Sequence, residues 1–343
     1  MTRQASTRAT EPQESEAPSS QQKYLRTGLQ TLLHYGGSAL ALYLLFRFLP
    51  GRQVWQTLGT LPARLWIFVL VGYLGAHCIG VGKWRLMVNV AGAGLNVQQA
   101  ARCYFAGLFG SLFLPSLIGG DLVRAGLALR LGRSKAGVLL GSFLDRIIDF
   151  TAIALLAGVG ALLAPRALDA RSRQIFLLLG AGAVLGACAV VTAVILLPVR
   201  RFSFRMRRRM VQTRRAGRSI GRQPQAMLKA LSLAIVAQLL FIELSILLAD
   251  ACGLHLQFRA WLFAWPLAKL SAALPITQGG IGVREAALAA LLLPFGAPAV
   301  LTVASGLAWE AIVVSGALIG GTFSLLAGRI VSEAGTQGIT NNS

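Results

Sequence analysis

Ser111-Leu112-Phe113-Leu114-Pro115-Ser116-Leu117-Ile118-Gly119-Gly120-Asp121-Leu122-Val123-Arg124 returns 160 positions later as Ser271-Ala272-Ala273-Leu274-Pro275-Ile276-Thr277-Gln278-Gly279-Gly280-Ile281-Gly282-Val283-Arg284. Both copies keep the pattern S-x-x-L-P-x-x-x-G-G-x-x-x-R. In each, Pro and paired Gly interrupt an apolar stretch, and an arginine then falls in what reads as the first turn of a new helix. Matched interruptions in two halves of an apolar chain point to a binding site near the middle of a membrane.

The surrounding composition supplies that membrane. Hydrophobic residues make up 55% of the 343 positions against 13% charged, and several apolar runs reach the roughly 20 residues that cross a bilayer as helix. The fold class is therefore all-α: a polytopic helical membrane protein. A formal charge of +21 raises the question of nucleic acid, but about half of it is concentrated in short basic stretches beside apolar spans, the pattern of cytoplasmic loops. Nucleic acid is not an expected partner. Cys78, Cys103, Cys188 and Cys252 stand singly, without C-x-x-C spacing or a histidine cluster, so they read as small core residues and neither metal nor cofactor is expected.

Full crossings are expected at about 29–49, 65–90, 136–164, 174–197, 227–250 and 299–328. Residues 1–26, rich in Ser, Thr, Gln, Glu and Pro, read as a disordered cytoplasmic tail. Residues 27–330 read as one transmembrane domain and 331–343 as a cytoplasmic C-terminal tail. Between Pro198 and Pro224 lie ten arginines and no acidic residue, which fixes the 198–224 loop on the cytoplasmic side. Working outward from it, Lys83, Arg85, Arg102 and Arg124 also fall inside, as do both termini. The apolar stretch 103–118 is then flanked by basic residues of one side and is too short to cross twice, so a re-entrant hairpin is expected, bent at Gly107, Gly110 and Pro115. Its counterpart at 258–298 should dip in from the opposite face, with Gln278 to Gly282 as the break and 283–293 as a short second arm. Three crossings separate the two motifs, and an odd number reverses direction. The expectation is an inverted repeat, with halves at about 29–164 and 174–328.

Charge inside a bilayer costs roughly 2.5–3.5 kcal/mol per residue on insertion scales, so buried ionic groups need partners or a wet cavity. Asp145, Arg146 and Asp149 lie in the middle of one span, Glu310 at a similar depth in another, Glu243 within a third, and Lys269 just before the second break. On a helix Asp145 and Asp149 share a face, whereas Arg146 turns about 100° away toward another helix. Arg124 and Arg284, beside helix N-termini whose N–H groups are unpaired, form candidate sites for a phosphate or carboxylate, with Gly119, Gly120, Gly279 and Gly280 admitting the anion to the backbone. Asp121 is a candidate N-cap, and Glu285 a partner for Arg284 or another buried cation. A purely structural role stands beside each of these: the charges can form a salt-bridge network that fixes helix positions, and the Gly pairs can be close-packing points. His34, His77 and His255 read as core or interfacial, and Trp55, Trp66, Trp261 and Trp265 as an interfacial belt. There is no nucleotide-binding Gly loop with Lys-Ser/Thr and no H-E-x-x-H, so an enzyme reading is weak.

P-x-x-x-G-G-D-x-x-R-A at Pro115 to Ala125, D-R-x-x-D at Asp145 to Asp149 and Q-G-G-I-G-V-R-E at Gln278 to Glu285 give a chain that resembles the lysylphosphatidylglycerol synthase transmembrane-region family of flippase-like membrane proteins. The similarity runs over roughly residues 25–330. In the full-length synthases this region is fused to a cytoplasmic aminoacyl-transferase domain, which this sequence lacks, so no synthase activity is expected. The resemblance implies a stand-alone translocator of a phospholipid or related polar lipid, anionic or aminoacylated, in a bacterial inner membrane, with a separate lipid-modifying enzyme as a possible partner. Arg124 and Arg284 would then be equivalent halves of one headgroup site. An accessory protein of lipid or glycolipid synthesis and a small-anion secondary transporter stay open as alternatives, and oligomeric state is undetermined.

Overall fold

The computed structural model describes residues 51–113, 117–163, 221–271 and 282–340. Its elements, in chain order, are α1 (Gly51–Gly59), α2 (Ala63–Val90), α3 (Val97–Gly110), α4 (Leu117–Leu131), α5 (Lys135–Leu163), α6 (Pro224–Ala251), α7 (Phe258–Ser271), α8 (Val283–Leu292), a 3-10 turn (Leu293–Phe295) and α9 (Ala299–Thr340). Four of them, at 63–90, 135–163, 224–251 and 299–328, are long and apolar enough to cross a membrane. These are the spans expected from hydropathy, shifted by at most three residues at either end. The expected spans at 29–49 and 174–197, residues 198–220 of the basic loop, Pro115, Gly279, Gly280 and the N-terminal tail lie outside the described residues.

The ends of α2 and α6 are built alike. Gly92 (φ 94) follows α2 and Gly253 (φ 84) follows α6, the left-handed position that ends a helix and that glycine adopts without a Cβ penalty. After α2, Ala93 N–H donates to Val88 C=O and Gly92 N–H to Asn89 C=O; after α6, Leu254 N–H donates to Ala249 C=O and Gly253 N–H to Asp250 C=O. Both are Schellman closures, which satisfy the last free carbonyls and turn the chain sharply into the next helix. That next helix is 14 residues long in each case, α3 and α7. α3 starts on a capping box, Asn96 Oδ1 accepting from Gln99 N–H at 2.8 Å and Gln99 Oε1 from Asn96 N–H at 3.0 Å.

α3 and α4 form a helical hairpin longer than the expected 103–118. Its arms touch backbone to backbone: a Cβ on Gly107 would lie 2.7 Å from Gly120 O, and one on Gly120 would lie 2.6 Å from Gly107 O. Gly107 and Gly110 therefore lie within α3 facing α4, and are not the bend itself. The far ends close as well, with Arg133 N–H donating to Ala93 C=O at 2.8 Å and Gly137 of α5 lying against Ala91. The chain thus returns, through α3 and α4, to the place where α2 ended. Fourteen or fifteen helical residues extend only about 21–23 Å, short of the ~30 Å hydrocarbon core. Hydropathy underestimated the hairpin because Arg102, Asp121, Arg124 and Arg130 interrupt its apolar sequence.

Glycine at 120 is a packing requirement. Gly120→Val is expected to force the arms apart and destabilise the protein by about 1–3 kcal/mol, visible as a lower melting temperature in detergent. Gly126→Ala is the control, since no atom lies within 4 Å of a Cβ there; an equal loss in both would remove the argument from the hairpin contact.

Packing between helices follows a paired scheme. α2 lies along α6, α3 packs on α9 as α7 packs on α5, and α3–α4 is matched by α7–α8. α2 and α6 run antiparallel: Gly72 meets Leu244, Met87 clusters with Ala230 and Ala234, and Met227 lies against the Ala91 and Leu144 pair. The largest core cluster joins Tyr73, Ile242, Trp261, Trp265 and Trp309. Trp261 and Trp265 are 1% and 7% exposed, core residues of α7 and not belt residues. Their position was missed because α7 is apolar on nearly every side, so its pattern does not reveal that it is sheathed by other helices.

Candidate functional site

A cavity of about 190 Å³ opens in the middle of the bundle, walled by α2 to α7 and lined by His77, Lys83, Tyr104, Arg124, Arg146, Asp149, Gln238 and Lys269. Charge gathers here because three helices deliver it to one point. The i,i+4 pair on α5 aims Asp145 and Asp149 at α2, where Lys83 Nζ lies 2.6 Å from Asp145 Oδ1 and 2.7 Å from Asp149 Oδ1. On α4, Arg124 lies 2.9 Å from Asp121 Oδ1 and 3.4 Å from Asp145 Oδ2. Arg146 leaves the Asp145–Asp149 face as expected and reaches α4, its Nε 2.8 Å from Asp121 Oδ2. Three cations and three carboxylates thus close one network, which offsets the desolvation each would suffer alone.

Two expectations need correction. Asp121 is not an N-cap: it is the fifth residue of α4, and its carboxylate bridges Arg124 and Arg146. Arg124 is not in the first turn either, but in the third, 3% exposed and held over the rings of Trp84 at 4.9 Å and Tyr104 at 5.2 Å. Trp84 is itself fixed by donation from its indole N–H to Ser142 Oγ at 3.1 Å. Gly119 and Gly120 are buried at the start of α4, and Gly120 lies on the cavity wall.

Arg284 does sit at a helix start, as the second residue of α8, but that start is already filled. Glu285 Oε2 accepts from Gly282 N–H at 2.7 Å, and Oε1 accepts from Arg284 at 2.6 Å. Arg284 also donates to Glu310 Oε2 at 3.0 Å and to Gly306 C=O at 3.3 Å. The chain's own carboxylate occupies the place an anion would take, beside a second, smaller cavity of about 20 Å³. Arg124 and Arg284 therefore have different surroundings: one borders the large cavity, the other is enclosed by two carboxylates.

Four wall residues were not read from the sequence as site residues. Lys83, taken as a mark of the cytoplasmic loop, is 3% exposed and neutralises two aspartates. His77 Nδ1 lies 3.3 Å from Tyr104 Oη, and Gln238 Oε1 accepts from Lys269 Nζ at 2.9 Å. The signal for Lys83 was its charge alone: a lysine inside an apolar span requires an acidic partner in another span.

Residues 31–321 match the family model described as lysylphosphatidylglycerol synthase TM region. No curated protein matches the chain. The chain belongs to that family, and is a multi-pass integral membrane protein of a group related to lipid biosynthesis and flipping.

Proposed function

We propose that this family member translocates a phospholipid or a related polar lipid across the bacterial inner membrane, without a catalytic step of its own and with both termini cytoplasmic. The observation that carries the reading is a cavity of about 190 Å³ lined by four cationic side chains and walled by helices long and apolar enough to span a membrane. Cations inside apolar spans persist only where they are paired or wet; here Lys83, Arg124 and Arg146 are paired, and all four border the cavity.

The same reading takes α3–α4 and α7–α8 as re-entrant hairpins of an inverted repeat. Supporting it are the equal lengths of α2 and α6 and of α3 and α7, the matched Schellman closures, the paired packing and the antiparallel course of α2 and α6. A headgroup phosphate approaches Arg124 at the wall formed by Gly120 and Asp121. Arg284, with Glu285 and Glu310, forms the second half of the path, its carboxylates holding the guanidinium while no lipid is bound. Acyl tails stay in the bilayer. Partners are thus anionic or aminoacylated phospholipids and a separate lipid-modifying enzyme.

Reconstituted liposomes with a labelled anionic phospholipid test this. Wild-type protein is expected to speed leaflet exchange over protein-free vesicles, and Arg124→Ala to lower the rate per folded molecule about tenfold or more, the scale of one hydrogen bond to a charged group. Equal exchange with and without protein would overturn the proposal.

A further inference from the structure

Lys269 differs from every other cation of the cavity. Lys83, Arg124 and Arg146 each hold at least one carboxylate within 3 Å, whereas Lys269 has no carboxylate partner among the described residues. Its ammonium donates to the neutral Gln238 at 2.9 Å and rests 4.9 Å from the ring centroids of Phe241 and Trp265. Trp265 is anchored by donation from its indole N–H to Ser245 Oγ at 2.8 Å, so the aromatic seat is rigid. His77, also on the cavity wall, has a buried ring nitrogen, Nε2, with no hydrogen-bond partner among the described residues. Rings and an amide orient the ammonium but do not neutralise it.

The position of this free cation is as informative as its freedom. α2 and α6 cross antiparallel near His77 and Gln238, the pair that occupies the same place in their respective helices, so Lys269 is held at the crossing point of the two halves. Asp149, Arg146, Arg284 and Lys83 all act on it electrostatically. Among the described residues, the fixed charges around the cavity are Lys83, Arg124, Arg146 and Lys269 against Asp121, Asp145 and Asp149. Four positive groups against three negative ones leave one unit of positive charge, and it resides on Lys269. Glu285 and Glu310 share the single charge of Arg284, and none of the three lines this cavity.

We infer that Lys269 is the primary anion ligand of the cavity, and that the cavity selects a singly charged phosphodiester headgroup over neutral and cationic ones, aminoacylated headgroups included. The inference rests on the lipid-translocation reading and narrows its substrate class. One phosphodiester charge cancels the surplus; a headgroup carrying an added ammonium would bring an unmatched cation to Lys269, Arg124 and Arg146. Size agrees, since a cavity of about 190 Å³ has room for several waters and hence for a phosphate.

Two measurements on the full-length protein test it separately from transport. Native mass spectrometry of the detergent-solubilised protein, offered equal amounts of phosphatidylglycerol, phosphatidylcholine and lysylphosphatidylglycerol, is expected to show retention in that order. Lys269→Gln is expected to cut phosphatidylglycerol retention about tenfold and bring it level with phosphatidylcholine, while Lys269→Arg keeps the order. Equal retention of all three by wild type, preference for the lysylated lipid, or a Lys269→Gln variant that still prefers phosphatidylglycerol would each overturn the inference. Leaflet exchange of the same lipids in liposomes completes the comparison. Selective retention without exchange keeps the anion site and sinks translocation; exchange without headgroup preference keeps translocation and sinks the site.

Discussion

Arg284→Ala is expected to destabilise the protein by about 3–5 kcal/mol, the cost of leaving buried charge without its partner, and to do so more severely than Arg124→Ala. Glu285 is 0% exposed, and among the described residues Arg284 is the one cation within ion-pair distance of both Glu285 and Glu310. Its removal strands two carboxylates in the bundle. Removing Arg124 strands none: Asp145 keeps Lys83 at 2.6 Å and Asp121 keeps Arg146 at 2.8 Å. Melting of the detergent-solubilised variants measures the difference, and Glu310→Gln in the Arg284→Ala background should recover part of the loss by deleting one stranded charge. Equal melting shifts for the two arginine variants would show that the Glu285 site is solvated and that this account of it is wrong. The expectation also bears on function. Equivalence of the two arginines can be judged only from transport per folded molecule, because their contributions to stability differ.

Much of this architecture is legible in the residues, and the unreadable part has a common cause. Spans such as 65–90 and 227–250 were found within three residues of α2 and α6 because length and apolarity are local properties. The D-R-x-x-D spacing gave the correct faces for Asp145, Asp149 and Arg146, since helical geometry alone sets them. What sequence did not disclose was the inward face of nearly uniform apolar helices. Lys83 lies near Arg85 and Asn89, and resembles the polar end of a span until its burial against α5 is seen. Tyr104, Gln238 and Trp265 carry no periodic mark at all; their roles come from which helices meet, a tertiary fact. The repeated motif misled in one respect. Identical letters suggested identical local structure, yet Arg124 lies deep in α4 whereas Arg284 lies at the start of α8.

That difference has a structural logic that a pair of substitutions can expose. α2 and α6, like α3 and α7, correspond at a shift of 161 residues (224 minus 63, and 258 minus 97). The same shift places Asp149 on Glu310 but Asp145 on Gly306. Where α5 has an aspartate facing Arg124, α9 has a glycine whose carbonyl takes the bond from Arg284 at 3.3 Å. The missing carboxylate is supplied from α8, by Glu285, and glycine makes the room: a Cβ at 306 would lie 2.9 Å from Glu285 Cγ. Glu285→Ala is expected to cost about 3–5 kcal/mol, the sum of a charged hydrogen bond and a buried N–H at Gly282 left without an acceptor. Gly306→Asp alone should also destabilise, by about 1–3 kcal/mol, through crowding against Glu285. Combined, the two changes rebuild the first-half arrangement, with space vacated and a carboxylate returned to Arg284. The double variant is therefore expected to be more stable than the sum of the single losses by about 2 kcal/mol, within the range found for directly interacting residues. Strict additivity in a thermal-melting cycle would mean that the two positions do not share a role, and the correspondence between the halves would then stop at the helix ends.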